Sequence, residues 1–334
     1  MKENNIITIE RFLLDTMPDD LDGDITALLY DLALAAKIIS AQTRRAGLLD
    51  ILGFADNVNV QGEEQRKLDV YADDVIIRST QFTGRLCALI SEEHENVITI
   101  PPDYPKGSYI LVFDPLDGSS NIDTNISIGT IFGIYRKRDE TKQVCLEDCL
   151  QPGRDLVAAG YVLYGTSTML IYSAGNGVHG FTLDPAWGEF ILSHENIRFP
   201  EPPAFFSFNH ALTNRLPNSL KAYINWLKNL ENPILTHRYV GSMVADFHRN
   251  LIHGGVFGYP AAETKPDGKI RLLYEAAPLA FIAEHAGGFG SDGIQSLLDI
   301  QPRSVHQRVP VFIGNRDLVE KAITYNSPQN IRQR

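Results

Sequence analysis

The first long apolar pattern follows Asp22-Gly23-Asp24, where Ile25, Leu28, Leu29, Leu32, Ala36 and Ile39 recur at steps of three and four. That period predicts an amphipathic helix capped by Asp24 and closed near Ala46-Gly47. Residues 86–90 and 109–113 are continuous apolar runs instead, each followed at once by acids: Ser91-Glu92-Glu93 and Asp114-Pro115-Leu116-Asp117. Such runs read as buried strands with acidic exits. Further strand-like runs occupy 129–135 and 157–164, and Leu183-Asp184-Pro185-Ala186-Trp187-Gly188 reads as a hairpin connection. Phe199-Pro200-Glu201-Pro202-Pro203 can continue neither a helix nor a central strand, which places a domain boundary there, between residues 1–198 and 199–334. Beyond it, Met243, Phe247 and Leu251 stripe a helix that starts at Ser242 and ends at His253-Gly254-Gly255. A strand is expected over 271–274 and a helix over 277–285. No internal period is present, and the mixture of elements points to an α/β or α+β protein in two domains.

Composition narrows the function. The 334 residues are 44% hydrophobic and 21% charged, which fits a folded protein rather than a disordered or fibrous one. Thirty Lys and Arg stand against 41 Asp and Glu, and the net charge of −11 argues against nucleic acid or anionic lipid as a partner. No apolar run reaches about 18 residues and the first residues do not form a signal-peptide core, so a cytoplasmic location without membrane contact is expected. Cys87, Cys145 and Cys149 are too few and too irregularly spaced for a disulfide framework or a four-ligand zinc site, and free thiols are expected.

The most informative segment is Asp114-Pro115-Leu116-Asp117-Gly118-Ser119-Ser120. Pro115 is expected to turn the chain off the strand and present two carboxylates together. Gly118, Ser119 and Ser120 then offer the backbone N–H groups and hydroxyls that a phosphate needs. Glu92 and Glu93 leave the other strand, and Glu63, Asp69 and Glu275 stand in comparable places. Each has a plainer reading: an acidic surface turn, a solvated pair, a helix cap for Asp69, or a favourable end-charge for the helix after Glu275. Like charges about 4 Å apart repel by about 4 kcal/mol at an effective dielectric of 20, so carboxylates that converge need cations. An oxygen-only donor set suits Mg2+ or Mn2+ better than zinc. His248 and His253, five apart on a predicted helix, point in different directions and read as packing or surface residues. Serine-hydrolase, P-loop and dinucleotide glycine signatures are absent. Metal-assisted hydrolysis of a phosphate ester is the chemistry these residues fit.

Taken in order, the motifs resemble the class I fructose-1,6-bisphosphatases, within the lithium-sensitive sugar and inositol phosphatases. They are Lys67-Leu68-Asp69-Val70, Ile90-Ser91-Glu92-Glu93, Asp114 through Asp123, Gly129 through Arg136, Arg238 through Asp246, and Gly268 through Glu275. The resemblance implies a layered α/β/α/β/α fold in two domains and a homotetramer active in gluconeogenesis. It implies Mg2+ on Glu92, Glu93, Asp114, Asp117, Glu275 and the Leu116 carbonyl, with Glu63 and Asp69 on a loop closing over the metals. Asp69 and Glu93 would help deprotonate the attacking water. The 1-phosphate of fructose 1,6-bisphosphate would lie on Gly118, Ser119 and Ser120 near Lys269 and Arg271. The 6-phosphate would be held by Asn209, Tyr239, Tyr259 and Lys269 and by Arg238 from a neighbouring subunit, with Met243 also lining the sugar site.

Two departures from the family pattern bear on function. Asn209 is followed by His210-Ala211 where Glu-Gly is usual. The family's AMP site resembles Gly23, Thr26, Tyr109, Arg136 and Met169, but Asp22 stands where Thr is common and Ser108 where Lys is, so weak AMP binding is expected. Sedoheptulose 1,7-bisphosphate remains an alternative substrate. A non-catalytic sensor or an inositol or nucleotide phosphatase is disfavoured by the complete acid set and by the stretches at Arg238 and Lys269.

Overall fold

The period after Asp22 is realised as the helix Gly23–Thr43, whose buried stripe includes Ile25, Leu28, Leu29, Leu32, Ala36 and Ile39. Its cap is Asp22 rather than Asp24: Asp22 has extended backbone and its carboxylate accepts from the Asp24 N–H at 3.1 Å. The helix stops at Thr43, and a 3-10 turn, Ala46–Leu48, follows. The computed structural model describes residues 6–19, 21–48, 54–58, 64–139, 143–263 and 265–327.

The larger sheet has eight strands. In spatial order they are Glu189–His194, His179–Asp184, Thr168–Ser173, Leu156–Tyr164, Ile128–Arg136, Tyr109–Asp117, Leu86–Ser91 and Ile98–Thr99. Neighbours run antiparallel except Leu86–Ser91 and Tyr109–Asp117, which are parallel. The expected hairpin at 183–188 joins two of these strands. One face packs on the helices Ile9–Thr16, Gly23–Thr43 and Lys67–Thr80. The other face packs on Met243–His253 and Ala277–His285, which lie between it and a second sheet. That second sheet orders Thr236–His237, Phe205–Phe208, Gly255–Tyr259, Val311–Gly314 and Phe289–Ser291, and its outer face carries Asn218–Lys228 and Arg316–Asn326. The result is the α/β/α/β/α layering. Each fully buried Leu, Ile or Phe in these layers contributes about 1.5–3 kcal/mol by leaving water.

Two local expectations are corrected. The chain does not leave the strand at Pro115; Tyr109–Asp117 continues through it, buried along its whole length. Proline is tolerated because the ladder to Ile128–Arg136 slips between Asp114 and Asp117, while pairing to the other neighbour has already ended at Ser91 opposite Phe113. Of the expected strand 271–274 only Arg271 is in a strand, Ile270–Arg271, and a five-residue π-helical turn, Leu272–Ala276, takes up the rest. The segment is buried on all sides, so its continuous apolar character fits a strand or a helical turn equally.

Candidate active site

The strand Leu86–Ser91 ends opposite Phe113 of the parallel strand Tyr109–Asp117, and that register sets Glu92 beside Asp114. The Glu92 N–H donates to the Phe113 carbonyl at 3.2 Å, which pins that loop to the strand. Glu275 arrives from the π-helical turn and accepts from the Arg271 N–H. Carboxylate oxygens of Glu92, Asp114 and Glu275 lie within 4.8 Å of one another. Asp114 is 1% exposed and Asp117 and Glu275 8%, so this is an interior cluster and not a solvated acidic patch.

Burial above all, and then the neighbouring carboxylates, pushes the Asp114 and Glu275 carboxyls well above the ordinary range. Burial raises Asp117 too, opposed by the Val244 N–H at 2.7 Å, the Ser242 hydroxyl at 3.1 Å and the charge of Lys269. Ser242 precedes the helix Met243–His253, so its hydroxyl serves Asp117 instead of capping that helix. Asp114 accepts from the Leu116 N–H at 2.9 Å. A compact cage of oxygen donors that disfavours its own ionisation fits a hard divalent cation, which supplies the missing countercharge.

These acids form one wall of a cavity of 160 Å³ that Asp69, Glu93, Leu116, Gly118, Ser119, Ser120, Tyr239, Met243, Tyr259, Lys269 and Arg271 also line. Asp69 comes from the first turn of Lys67–Thr80, inside the helix rather than at its cap. Gly118 has φ +82°, and a Cβ there would meet the Ser242 Cβ at 2.6 Å, so only glycine makes this turn. It leads into the 3-10 turn Ser119–Thr124. The Lys269 ammonium lies 5.8 Å from the Tyr259 ring centroid. Two expected residues stand apart: Arg238 is exposed and outside the cavity lining, and Asn209 caps the 3-10 turn His210–Arg215 by accepting from Ala211. Glu63 lies outside the described residues.

Gly241, Phe257 and Ile270 line the cavity without having been singled out. Asp246, inside the Arg238–Asp246 motif, carries a role that the motif does not announce: its buried carboxylate accepts from the Val240 and Gly241 N–H groups at 3.0 Å and from Arg249, shaping the loop that bears Tyr239. Its spacing of six from Val240 was the available signal. Of the expected regulatory residues, Gly23, Thr26, Tyr109 and Arg136 belong to the helix Gly23–Thr43 and the strand ends facing it. Met169 does not join them: Thr168 bonds Ser40 on the helix side at 2.7 Å, so strand alternation sends Met169 into the core between the sheets.

The family model described as Fructose-1-6-bisphosphatase, N-terminal domain, matches residues 7–195, and its C-terminal counterpart matches residues 199–327. A protein of Chlorobium phaeovibrioides named fructose-1,6-bisphosphatase class 1 is 50% identical over 326 residues, 96% of this chain and 97% of that protein. One of the same name from Oleidesulfovibrio alaskensis is 52% identical over 320 residues, covering 92% and 95%. The crystal structure of Leishmania major fructose-1,6-bisphosphatase in holo form superposes with a TM-score of 0.91 at 38% identity, covering 96% of this chain and 99% of that one. With both halves matched by the family models and half of all residues shared with full-length relatives, the chain belongs to the fructose-1,6-bisphosphatase family.

Proposed function

We propose that this chain hydrolyses the 1-phosphate of fructose 1,6-bisphosphate, releasing fructose 6-phosphate and phosphate, in the cavity walled by its acidic cluster. The observation that carries the reading is the convergence of Glu92, Asp114 and Glu275 within 4.8 Å, in a cavity large enough for a phosphoryl group that Lys269 and Arg271 also line. Glu92, Glu93, Asp114, Asp117, Glu275 and the Leu116 carbonyl would hold Mg2+, with Mn2+ as a substitute. Such a cation, when bound, neutralises phosphoryl charge and polarises the scissile bond.

The chain's own groups do the rest. Gly118 brings the backbone of Ser119 and Ser120 close enough to donate to the 1-phosphate, and Arg271 adds fixed positive charge. Asp69 and Glu93, both lining the cavity, orient water and accept its proton. Tyr239, Tyr259, Lys269 and Met243, which also line the cavity, bind the sugar and the 6-phosphate together with Asn209. Positioning and electrostatics then account for catalysis.

The same reading gives a division into residues 1–198 and 199–334, supported by the fall of one large sheet on each side. It also gives a cytoplasmic homotetramer in which Arg238, exposed in the single chain, completes a neighbour's 6-phosphate site. Sedimentation as a monomer under assay conditions would remove that last element. Phosphate release from a panel of sugar bisphosphates, inositol phosphates and nucleotides, with Mg2+ and with chelator, tests the whole. Preference for an inositol phosphate or a nucleotide would refute it, and a preference for sedoheptulose 1,7-bisphosphate would redirect it.

A further inference from the structure

Next in sequence to Glu92, Glu93 and Glu275 runs a chain of hydrogen bonds whose side chains are absent from the cavity lining. Asp73 lies one turn beyond Asp69 on the helix Lys67–Thr80 and is buried. One of its oxygens accepts from the Ser91 hydroxyl at 2.5 Å, and that hydroxyl in turn accepts from the Glu93 N–H at 3.2 Å. The other oxygen bonds the His94 ring at 2.8 Å. The His94 carbonyl accepts from His306 Nε2 at 3.0 Å, and His306 Nδ1 pairs with the Tyr274 hydroxyl at 2.7 Å.

The carbonyl partner fixes the tautomer. Nε2 of His306 must carry the proton, so Nδ1 is the acceptor and Tyr274 the donor. Tyr274 is fully buried and adjoins Glu275 in the π-helical turn. Read end to end, the bonds join three of the four segments that deliver the acids: the helix of Asp69, the loop of Glu92 and Glu93, and the turn of Glu275, the fourth being the strand of Asp114 and Asp117. None of the linking side chains reaches the cavity.

We propose that Asp73, Ser91, His94, His306 and Tyr274 form a hoop that holds these three acid-bearing segments at cation-binding separation around the strand of Asp114, with His306 as its positioning residue. The physical need is plain. Buried carboxylates repel, and without a restraint the segments relax apart when no cation is bound, so each binding event would have to reassemble the cage. Partners standing behind a set of metal ligands typically change metal affinity by about 10–100-fold when removed. His306 is the informative link because it is both donor and acceptor, and because glutamine offers the same pair of functions, an N–H for the His94 carbonyl and an oxygen for Tyr274.

The inference rests on the cation reading above, and the test separates the two. Mn2+ binding to the substrate-free protein is titrated by electron paramagnetic resonance, alongside kcat and KM at saturating Mg2+. His306→Leu is expected to weaken Mn2+ about tenfold while moving the KM for fructose 1,6-bisphosphate less than twofold, and His306→Gln to return Mn2+ binding to within twofold of the parent. Tyr274→Phe, which removes one hydroxyl from a buried ring, is expected to weaken Mn2+ in the same direction and serves if His306→Leu does not fold. Unchanged Mn2+ affinity in a folded His306→Leu or Tyr274→Phe protein overturns the hoop, as does equal weakening by Leu and Gln. Failure of the unaltered protein to bind Mn2+ overturns the cation reading itself.

Discussion

An oxygen of Asp22 lies 2.6 Å from Nη2 of Arg136 and 2.7 Å from the Tyr109 hydroxyl. Tyr109 and Arg136 face each other across adjacent strands, and the guanidinium stands 5.2 Å over the phenol ring. Partial burial works against the Asp22 charge, but the Tyr109 hydroxyl and the Arg136 charge outweigh it and hold the carboxyl below its usual range. The helix cap thus doubles as an internal anion for the one cation of the expected nucleotide-phosphate site. Any incoming phosphate must displace that carboxylate and then sit beside it.

AMP is therefore expected to inhibit weakly. Asp22→Thr retains a capping oxygen, so little of the roughly 1 kcal/mol of cap stability should be lost, and it frees Arg136 and Tyr109. The inhibitory concentration of AMP should fall at least about tenfold, in line with a gain of one charge-assisted contact and the loss of a like charge. Steady-state inhibition curves on the two proteins measure this. Equal insensitivity would shift the cause to Ser108.

Asp114 gives the sharpest test of the acidic cage. Asp114→Asn keeps the bond to the Leu116 N–H but removes a charge that Glu92 and Glu275 oppose. Turnover should drop by roughly two orders of magnitude or more, while the melting temperature in chelator should rise, because the repulsion is relieved. A folded variant with near-normal turnover would remove the cation assignment.

These residues also show what could be read before the fold was seen. Glu92 and Asp114 were visible as acids leaving apolar runs, since a buried strand and its charged exit are local properties of sequence. Their parallel register, which makes them neighbours, is a tertiary fact that spacing alone does not encode. Pro115 stays within the strand, against the sequence expectation, because an irregularity in the ladder absorbs its missing donor, and such an irregularity has no fixed sequence signature. The π-helical turn at Glu275 hid in a segment buried on every side, where periodicity vanishes. His306 gave no signal at all, since its role depends on a carbonyl 212 residues away.

The role proposed above for Lys269 is to bind ground-state phosphate rather than to act on the reacting bond. Lys269→Ala should raise the KM for fructose 1,6-bisphosphate about tenfold or more with a smaller change in kcat, the signature of lost uniform binding. A compensating effect is expected in the fold: Asp117 loses a countercharge and its carboxyl rises further. Initial-rate kinetics decide the matter, and a fall in kcat with KM unchanged would place the lysine at the scissile phosphate instead.

His248 predicts part of the acid sensitivity. Its Nδ1 pairs with the Tyr161 hydroxyl at 2.8 Å, and burial, then the charges of His194 and His253, lowers its pKa to about 4 from an ordinary 6.5. The folded state therefore binds fewer protons than the unfolded chain between those values. Stability is full above pH 6.5 and is lost as pH falls towards 4, by roughly 2 kcal/mol at pH 4.5. His248→Asn keeps an acceptor for Tyr161 and does not titrate, so urea unfolding at several pH values should show its deficit at pH 7 shrinking in acid. A constant deficit from pH 7 to 4.5 would mean that His248 contributes nothing to the acid limb.

Cys145 and Cys149 bear on redox control, and their surroundings argue against it. Cys145 opens the four-residue helix Leu146–Cys149, with its N–H and its thiol both donating to the Asp148 carboxylate, at 3.0 and 3.3 Å. Cys149 points the other way, fully buried in the core between the sheets. Both are free thiols, as is Cys87, and a bridge between 145 and 149 would require the turn to unfold. Burial pushes Cys149 up to about 12 and Cys87 to about 11, so at pH 8 less than about one molecule in a thousand carries either thiolate, the species that exchanges. The Asp148 N–H favours a Cys145 thiolate, but the Glu147 and Asp148 side chains raise that pKa overall. Dithiothreitol and diamide should therefore leave activity unchanged, and iodoacetamide should modify the native protein once and the unfolded chain three times, measured by intact mass. Several-fold activation by reductant that disappears in Cys149→Ser would overturn this, because it would require the two sulfurs to meet in the working enzyme.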